Sequence, residues 1–264
     1  MKKVILITGA SSGLGQAIAN YLHQQGHTVY GTSRKSIQAN WNSLVMDVCN
    51  EQSVTTGVQQ IISNEQRIDV LINNAGLGIA GALEETLLTD VSLVFNTNVQ
   101  GVVATSKAVL PYMRKQQSGH IINISSVASE MGLPYRAIYS ASKAAVDKIT
   151  EALRMEVSKY NIQVCSVQPA DINTPIGDHR VMAPAVLGSV YQESFQRTMN
   201  HINEGVKNGV APESIAPLIE KIIFSKKVKR AYLSGKPMQT ISVHLKKWLP
   251  NTWFEGIIKK YYEV

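Results

Sequence analysis

The chain reads as an alternating α/β fold built on a parallel sheet, and three observations predict this. Lys3 to Thr8 is a β-branched apolar run that passes at once into the glycine-rich TGASSGLG and then into a helical pattern through Ile18, Ala19 and Leu22. Ile121 to Ser125 is a second short apolar run, and it ends in serines. A buried parallel strand that delivers polar groups at its carboxyl end has that form. Finally, 264 residues with 44% hydrophobic composition can bury a full core, and an α/β chain of this length is expected to form one domain.

Composition narrows the function classes. No stretch reaches the roughly 18 consecutive apolar residues of a membrane span. The opening MKKVILITGA begins like an export signal, but Thr8, Gly9, Ser11 and Ser12 cut its apolar run short, so it is read as a first strand kept in the mature protein. Cys49 and Cys165 lack metal-ligand spacing and are expected to be ordinary buried thiols of a reduced, cytoplasmic protein. His23, His27, His120, His179, His201 and His244 show no paired zinc spacing, and no metal is expected. The formal net charge of +7 favours anions in general, from nucleotide phosphates to acidic lipid. Its excess gathers late, at Lys226, Lys227, Lys229 and Arg230, then at Lys246, Lys247, Lys259 and Lys260. No regular aromatic interleaving accompanies it, so a solvated basic face is expected rather than a nucleic-acid partner.

Taken in order, the first strand feeds a turn suited to a nucleotide. Gly9 permits the turn, Gly13 lets backbone approach a pyrophosphate, and Gly15 lets the helix pack on the strand. Unpaired amides at the helix start then face the anion, which makes Gly9, Ser11, Ser12, Gly13, Leu14 and Gly15 candidate cofactor contacts. Thr28 to Thr32 is the second strand, and the residues just past its end decide the cofactor. An acidic side chain there would hold the ribose hydroxyls of NAD(H) and repel a 2′-phosphate. Here the chain has Ser33, Arg34 and Lys35, and Arg34 with Ser33 can grip that phosphate, which favours NADP(H) over NAD(H). An exposed basic turn is the competing account.

Leu44 to Val48 is expected to be a third strand, with Asp47 and Val48 at its end beside the adenine. Glu51 to Gln66 is a polar amphipathic helix that Asn50 can cap. Val70 to Ile72 is the next strand and ends in Asn73, Asn74, Ala75 and Gly76. Small residues there let backbone lie along the adenosine, and the asparagines can fasten neighbouring strands; a simple turn explains the same residues. After Ser125 a helix carries Tyr139 and Lys143, which share one face because they are four apart. A fixed cation moves a phenol of intrinsic pKa about 10 toward phenolate, making Tyr139 a candidate general acid/base. Ser126, at the strand end, can donate a hydrogen bond to the substrate carbonyl oxygen that Tyr139 would protonate. Taken alone, the pair is also an ordinary helix-surface pair.

Together, TGASSGLG, NNAG, the Asn98 region and Ser126, Tyr139 and Lys143 resemble the classical short-chain dehydrogenase/reductase family, over essentially the first 175 residues. The resemblance implies a Rossmann-type, doubly wound, mostly parallel seven-stranded sheet with helices on both faces. It implies that Asn98, in a helix starting near FNTNVQG, holds a water in a proton relay through the lysine; an asparagine bonded to nearby backbone is the alternative. Ser126, thirteen positions before Tyr139, matches the catalytic serine, and Ser125 does not. Lys143 would also bind ribose hydroxyls of the nicotinamide half, while Pro169, Ala170, Ile172 and Thr174 would hold its carboxamide end. Ser129 and Ala170 stand where the family has glycine, and Ala170 is expected to shift its loop if positive φ is needed. A homo-oligomer, dimer or tetramer, through 98–116 and 139–160 rests on the resemblance only.

Ile176 to Asn208 is expected to be a helical substrate lobe whose Met182, Leu187, Val190, Tyr191, Phe195 and Met199 pack helices or line a pocket. Ala211-Pro212-Glu213 opens another helix, and Arg230 to Leu233 is the last strand. The tail LKKWLPNTWFEGIIKKYYEV breaks at Pro250 and is similar to tails of hydroxysteroid- and retinol-type members. It can lie on an anionic membrane, cover the pocket or join an oligomer. The expected divisions are a cofactor-binding and catalytic core over 1–175, the lobe over 176–210 and the tail over 238–264. The expected function is NADPH-dependent interconversion of a lipophilic carbonyl and its alcohol, with hydride transfer and Tyr139 as proton donor. The alternatives are a silent NADP-binding sensor or scaffold, and a nucleotide-sugar epimerase.

Overall fold

The structure is a computed structural model that describes residues 1–177, 180–184 and 188–264. In chain order its elements are β1 (Val4–Ile7), α1 (Gly13–Gln24), β2 (Thr28–Ser33), β3 (Asn42–Val45), α2 (Glu51–Glu65), β4 (Val70–Asn73), β5 (Ile79–Ala80), α3 (Leu88–Phe95) and α4 (Gly101–Gln116). After these come β6 (Gly119–Ile124), α5 (Ala137–Glu156), β7 (Ile162–Pro169), β8 (Val181–Met182), α6 (Gln192–Lys207), α7 (Ala216–Ile223), β9 (Ala231–Ser234), α8 (Pro237–Trp248) and α9 (Asn251–Tyr262).

Seven strands form one sheet in the order β3-β2-β1-β4-β6-β7-β9, and every pairing in it is parallel. Side chains alternate across a strand, so β1 sends Ile5 and Ile7 to one face and Val4 and Leu6 to the other. On the first face Ile5 and Ile7 meet Ile18 and Leu22 of α1 and Ile219 and Ile222 of α7. On the second, Leu6 joins Val58 and Ile61 of α2 and Val109 and Met113 of α4. Apolar helix stripes on both faces make the sheet doubly wound. The strand order reverses between β1 and β4, which opens a crevice at their carboxyl ends.

Several expected boundaries move. The third strand is Asn42–Val45 rather than Leu44–Val48, because Asn42 to Val45 pair with Tyr30 to Ser33. Met46 and Val48 are buried under α2 beside Val54, so burial and not strand pairing explains their apolar character, and Asp47 and Val48 lie in the following turn. The helix around Asn98 starts well before FNTNVQG, at Leu88. The region after Pro175 is not wholly helical: Val181–Met182 pairs with Ile79–Ala80, and the long helix begins only at Gln192. In that region Met199 is buried, Met182 and Val190 are exposed, and Leu187 and His179 lie outside the described residues. The helix after Ala211 opens as a 3-10 turn over Pro212–Ile215, and the last strand is offset by one residue. Cys165 is buried as expected, but Cys49 is exposed, since it sits in the turn after β3.

Candidate active site

The loop after β1 and the run after β4 are fastened to each other across the crevice. Asn74 donates through Nδ2 to the Thr8 and Gly9 carbonyls, at 3.0 and 2.9 Å. Thr8 Oγ1 in turn accepts from the amides of Asn74 and Ala75. Asn73 ties the sheet to α4, donating to Asn123 Oδ1 and accepting from Thr105. Gly9 and Gly13 both have positive φ, 67° and 56°. A Cβ on Gly15 would stand 2.3 Å from the Gly9 carbonyl oxygen, so only glycine lets helix and loop close. Ser12 caps α1 without a side-chain bond, and no acidic residue lies in the first turn. Those amides and the helix dipole are left for an anion, and the cradle fits a dinucleotide pyrophosphate.

The other candidate cofactor residues close around this cradle. A Cβ on Gly13 would lie 3.3 Å from the Thr174 side chain, so the segment after β7 meets the glycine loop. Ile172 pairs with Val210, but the bonds of that bridge run through Asp171 and Asn173. The amide and carbonyl of Ile172 itself point to the other side. Ala170 does not have positive φ, so the expected strain is absent. Its methyl group instead occupies space left by Gly235, where a Cβ would fall 2.5 Å from Ala170 Cβ. At the end of β2, Ser33 accepts from the Lys35 amide at 3.2 Å and Arg34 is exposed. Asp47 Oδ1 accepts from the Cys49 amide and shapes that turn.

Ser126, Tyr139, Lys143 and Asn98 meet at the carboxyl end of β6. All four are buried, Tyr139 at 8% exposure and Asn98 at 1%. Ser125 and Ser126 part company: Ser125 Oγ donates to the Lys143 carbonyl, and Ser126 turns toward the phenol. Ser126 Oγ accepts from the Ala128 amide at 3.1 Å. Lys143 Nζ donates to the Ile124 carbonyl at 2.9 Å and lies 5.9 Å from the Tyr139 ring centroid. Burial alone would raise the Tyr139 pKa. Lys143, Arg136, the Ser126 hydroxyl and Arg180 together outweigh it and hold the phenol below its ordinary value.

Asn98 sits in a π-helical turn, Asn96–Gln100, between α3 and α4. Its amide holds distant backbone: Oδ1 accepts from the Leu77 amide at 2.7 Å, and Nδ2 donates to the Leu77 carbonyl and to Ser142 Oγ. A Cβ on Gly76 would stand 3.3 Å from Asn98 Oδ1 and 3.5 Å from Lys143 Nζ, so these three residues converge.

Arg136, Arg180 and Asp171 were not legible as site residues. Arg136 precedes Tyr139 by three positions, a same-face spacing that offered a signal. Arg180 and Asp171 arrive from loops, which carry no such period. Burial raises the Asp171 carboxyl above its usual range, with Arg136, Gln239, Lys236 and Arg180 opposing. A cavity of about 200 Å³ beside Lys3, Asp69 and His120 lies at the amino ends of the strands, the rim opposite Tyr139. Doubly wound sheets bind ligands at the carboxyl ends, so the crevice and not this cavity is the candidate site.

A dinucleotide cradle beside a serine, tyrosine and lysine cluster on a doubly wound parallel sheet is the arrangement of a nicotinamide-dependent oxidoreductase. Residues 3–183 match the family described as short chain dehydrogenase, and the chain belongs to that family of oxidoreductases. It is 45% identical to a 3-ketodihydrosphingosine reductase of Bacteroides thetaiotaomicron, over 99% of this chain and 98% of that one. Among solved structures it is similar to a short-chain dehydrogenase/reductase from Burkholderia phymatum in complex with NAD, with TM-score 0.81, 26% identity and 94% and 93% of the two chains covered. A short-chain dehydrogenase from Streptomyces avermitilis gives TM-score 0.80 at 27% identity, covering 94% and 97%.

Proposed function

We propose that the protein is an NADPH-dependent reductase of a lipophilic ketone or aldehyde, with a long-chain ketone of the 3-ketodihydrosphingosine type as its first candidate substrate. The observation that carries this reading is the convergence of Ser126, Tyr139, Lys143 and Asn98 beside Gly76, next to the cradle of Gly9, Gly13 and Gly15. The similarity to the Bacteroides reductase supports the substrate class. Ser33 and Arg34 at the end of β2, followed by Lys35 with no carboxylate among the three, support the 2′-phosphate.

When bound, the reduced nicotinamide supplies the hydride. Tyr139 Oη holds the proton destined for the carbonyl oxygen. Ser126 Oγ already accepts from Ala128, which leaves its own proton to donate to that oxygen as charge develops. Lys143 favours the phenolate that remains after transfer and offers its ammonium to ribose hydroxyls. Asn98 fixes Leu77 and Gly76 against Lys143, the wall along which a proton is resupplied. Ser11, Ser12 and Leu14 present amides to the pyrophosphate. Asp47, Val48, Asn74 and Ala75 flank the adenosine, and Pro169, Ala170, Ile172 and Thr174 close over the nicotinamide. We extend the proposal to a homo-oligomer paired through α4 and α5, where Val103 and Met155 are exposed, in a reducing compartment that suits free thiols.

Tyr139→Phe tests the reading. Turnover of a long-chain ketone with NADPH should fall by about 10²- to 10⁴-fold while NADPH binding, followed by its fluorescence, stays nearly intact. Full activity in that variant, or no NADPH oxidation by the parent protein across steroid, retinoid, acyl and sugar carbonyls, would refute it.

A further inference from the structure

The last two helices each carry an apolar row outside the contacts that join them to the fold, which for α9 include Tyr262 packed with Met199 of α6. Val243 of α8 and Phe254 of α9 are buried with Met131, and Leu249, Ile258, Leu133 and Leu233 pack around them. That contact is the inner face. On the outer face of α8, Met238, Ile241, Leu245 and Trp248 recur at intervals of three, four and three, the period of one helical stripe. All four are exposed, Met238 at 80% and Trp248 at 86%. On α9, Trp253 and Ile257 are four apart and exposed as well, and the row continues one turn on to Tyr261, which is exposed on one side and lies beside His201 of α6 on the other. Scattered surface hydrophobics need no explanation, but two successive helical stripes of them mark a contact surface.

The charges around the stripes select the partner. Residues 236–264 carry Lys236, Lys246, Lys247, Lys259 and Lys260 against Glu255 and Glu263. Lys236, Lys259 and Lys260 are exposed, as is Lys247, whose ammonium lies 3.7 Å from Glu130, so a basic rim frames the apolar rows. A second copy of this chain, docked face to face, would set lysine against lysine. A bilayer bearing acidic headgroups is complementary to both features: tryptophan and tyrosine suit the interfacial zone, and lysines suit the headgroups.

We propose that α8 and α9 form a peripheral membrane-binding surface for a bilayer containing anionic lipid. The surface adjoins the candidate site, because Gln239 of α8 donates to Asp171, the neighbour of Ile172. A lipophilic substrate held in the bilayer is thereby brought close to Tyr139. The surface itself does not depend on the reductase reading.

The test is co-sedimentation of the full chain with vesicles of phosphatidylcholine, with and without phosphatidylserine, at low and high salt. The protein should pellet with the phosphatidylserine vesicles and be released by salt. The pair Trp248→Ser and Trp253→Ser should weaken binding about tenfold or more, as should the pair Lys259→Glu and Lys260→Glu. Both variants should reduce a short, water-soluble ketone as the parent does. Failure to pellet with either vesicle would overturn the proposal, as would equal binding to neutral vesicles. A dimer seen by analytical ultracentrifugation that the tryptophan pair converts to monomer would overturn it in favour of a second copy. If no carbonyl is reduced but vesicle binding stands, the reductase reading fails and this one survives.

Discussion

The guanidinium of Arg136 stands 4.5 Å from the centroid of the Tyr139 ring, over its face. Arg136 takes up this position at the residue before α5, directly after Tyr135, whose φ of 56° is unusual for a side chain of its size. A cation on the ring face and another on Lys143 bracket the same phenol, and both favour its ionised form.

Arg136→Gln should therefore move the pH profile without abolishing chemistry. In the proposed mechanism alcohol oxidation needs the Tyr139 phenolate and rises as pH climbs through its pKa, while carbonyl reduction needs the phenol and falls over the same range. Losing Arg136 raises that pKa, so both limbs of kcat/KM should shift to higher pH, and Arg136→Lys should restore most of the shift. Lower activity at every pH with an unmoved midpoint would assign Arg136 a packing role only.

Arg34→Asp should reverse the proposed preference for NADPH. The new carboxylate repels a 2′-phosphate and can accept from ribose hydroxyls, so KM for NADPH should rise by about tenfold or more and KM for NADH should not. Equal changes for both would show that Arg34 does not read the phosphate.

Trp41 is buried against Gly31 of β2, where an added Cβ would land 2.3 Å from its ring, and its Nε1 donates to Asn20 Oδ1 at 3.0 Å. Trp41→Ala should cost about 3 kcal/mol in urea denaturation. Gly31→Ala should also destabilise, by forcing the ring aside. The double variant should lose less than the two single losses combined, because the clash goes with the ring.

The two thiols should differ sharply in reactivity. Cys49 is exposed, while burial pushes the Cys165 thiol up to about 12. A thiolate-directed reagent should modify Cys49 in the native protein and Cys165 only after unfolding. Rapid labelling of both without denaturant would mean that β7 opens readily.

The sequence disclosed whatever a local period or a short motif can carry. Strand, glycine loop and helix around Gly9 to Leu22 lie side by side in the chain, and Tyr139 and Lys143 share a helical face, so each could be read in place. Asn50 as the cap of α2 was equally local, and its side chain accepts from the Ser53 amide at 2.9 Å. The misread elements had apolar residues whose burial came from elsewhere: Met46 and Val48 lie under a helix, outside the ladder that Asn42–Val45 makes with β2. Cys49 shows the same limit, since no local pattern distinguishes an exposed turn thiol from a core one. Arg180 and Asp171 reach Tyr139 and Arg136 by tertiary folding alone. Val181–Met182 is too short to show alternation, and its partner lies a hundred residues earlier at Ile79–Ala80.

The π-helical turn at Asn96–Gln100 has a cost that explains its persistence. One residue more than an α-turn needs is accommodated between α3 and α4. Deleting it would allow an unbroken helix from Leu88 to Gln116, with better hydrogen bonding along its length. The widened turn absorbs that residue locally, so the repair would leave the two halves nearly in phase while retracting the backbone that carries Asn98 to Leu77. The chain thus keeps an imperfect helix in order to aim a single amide, and smoothing the imperfection should make a sturdier protein with a blunted site.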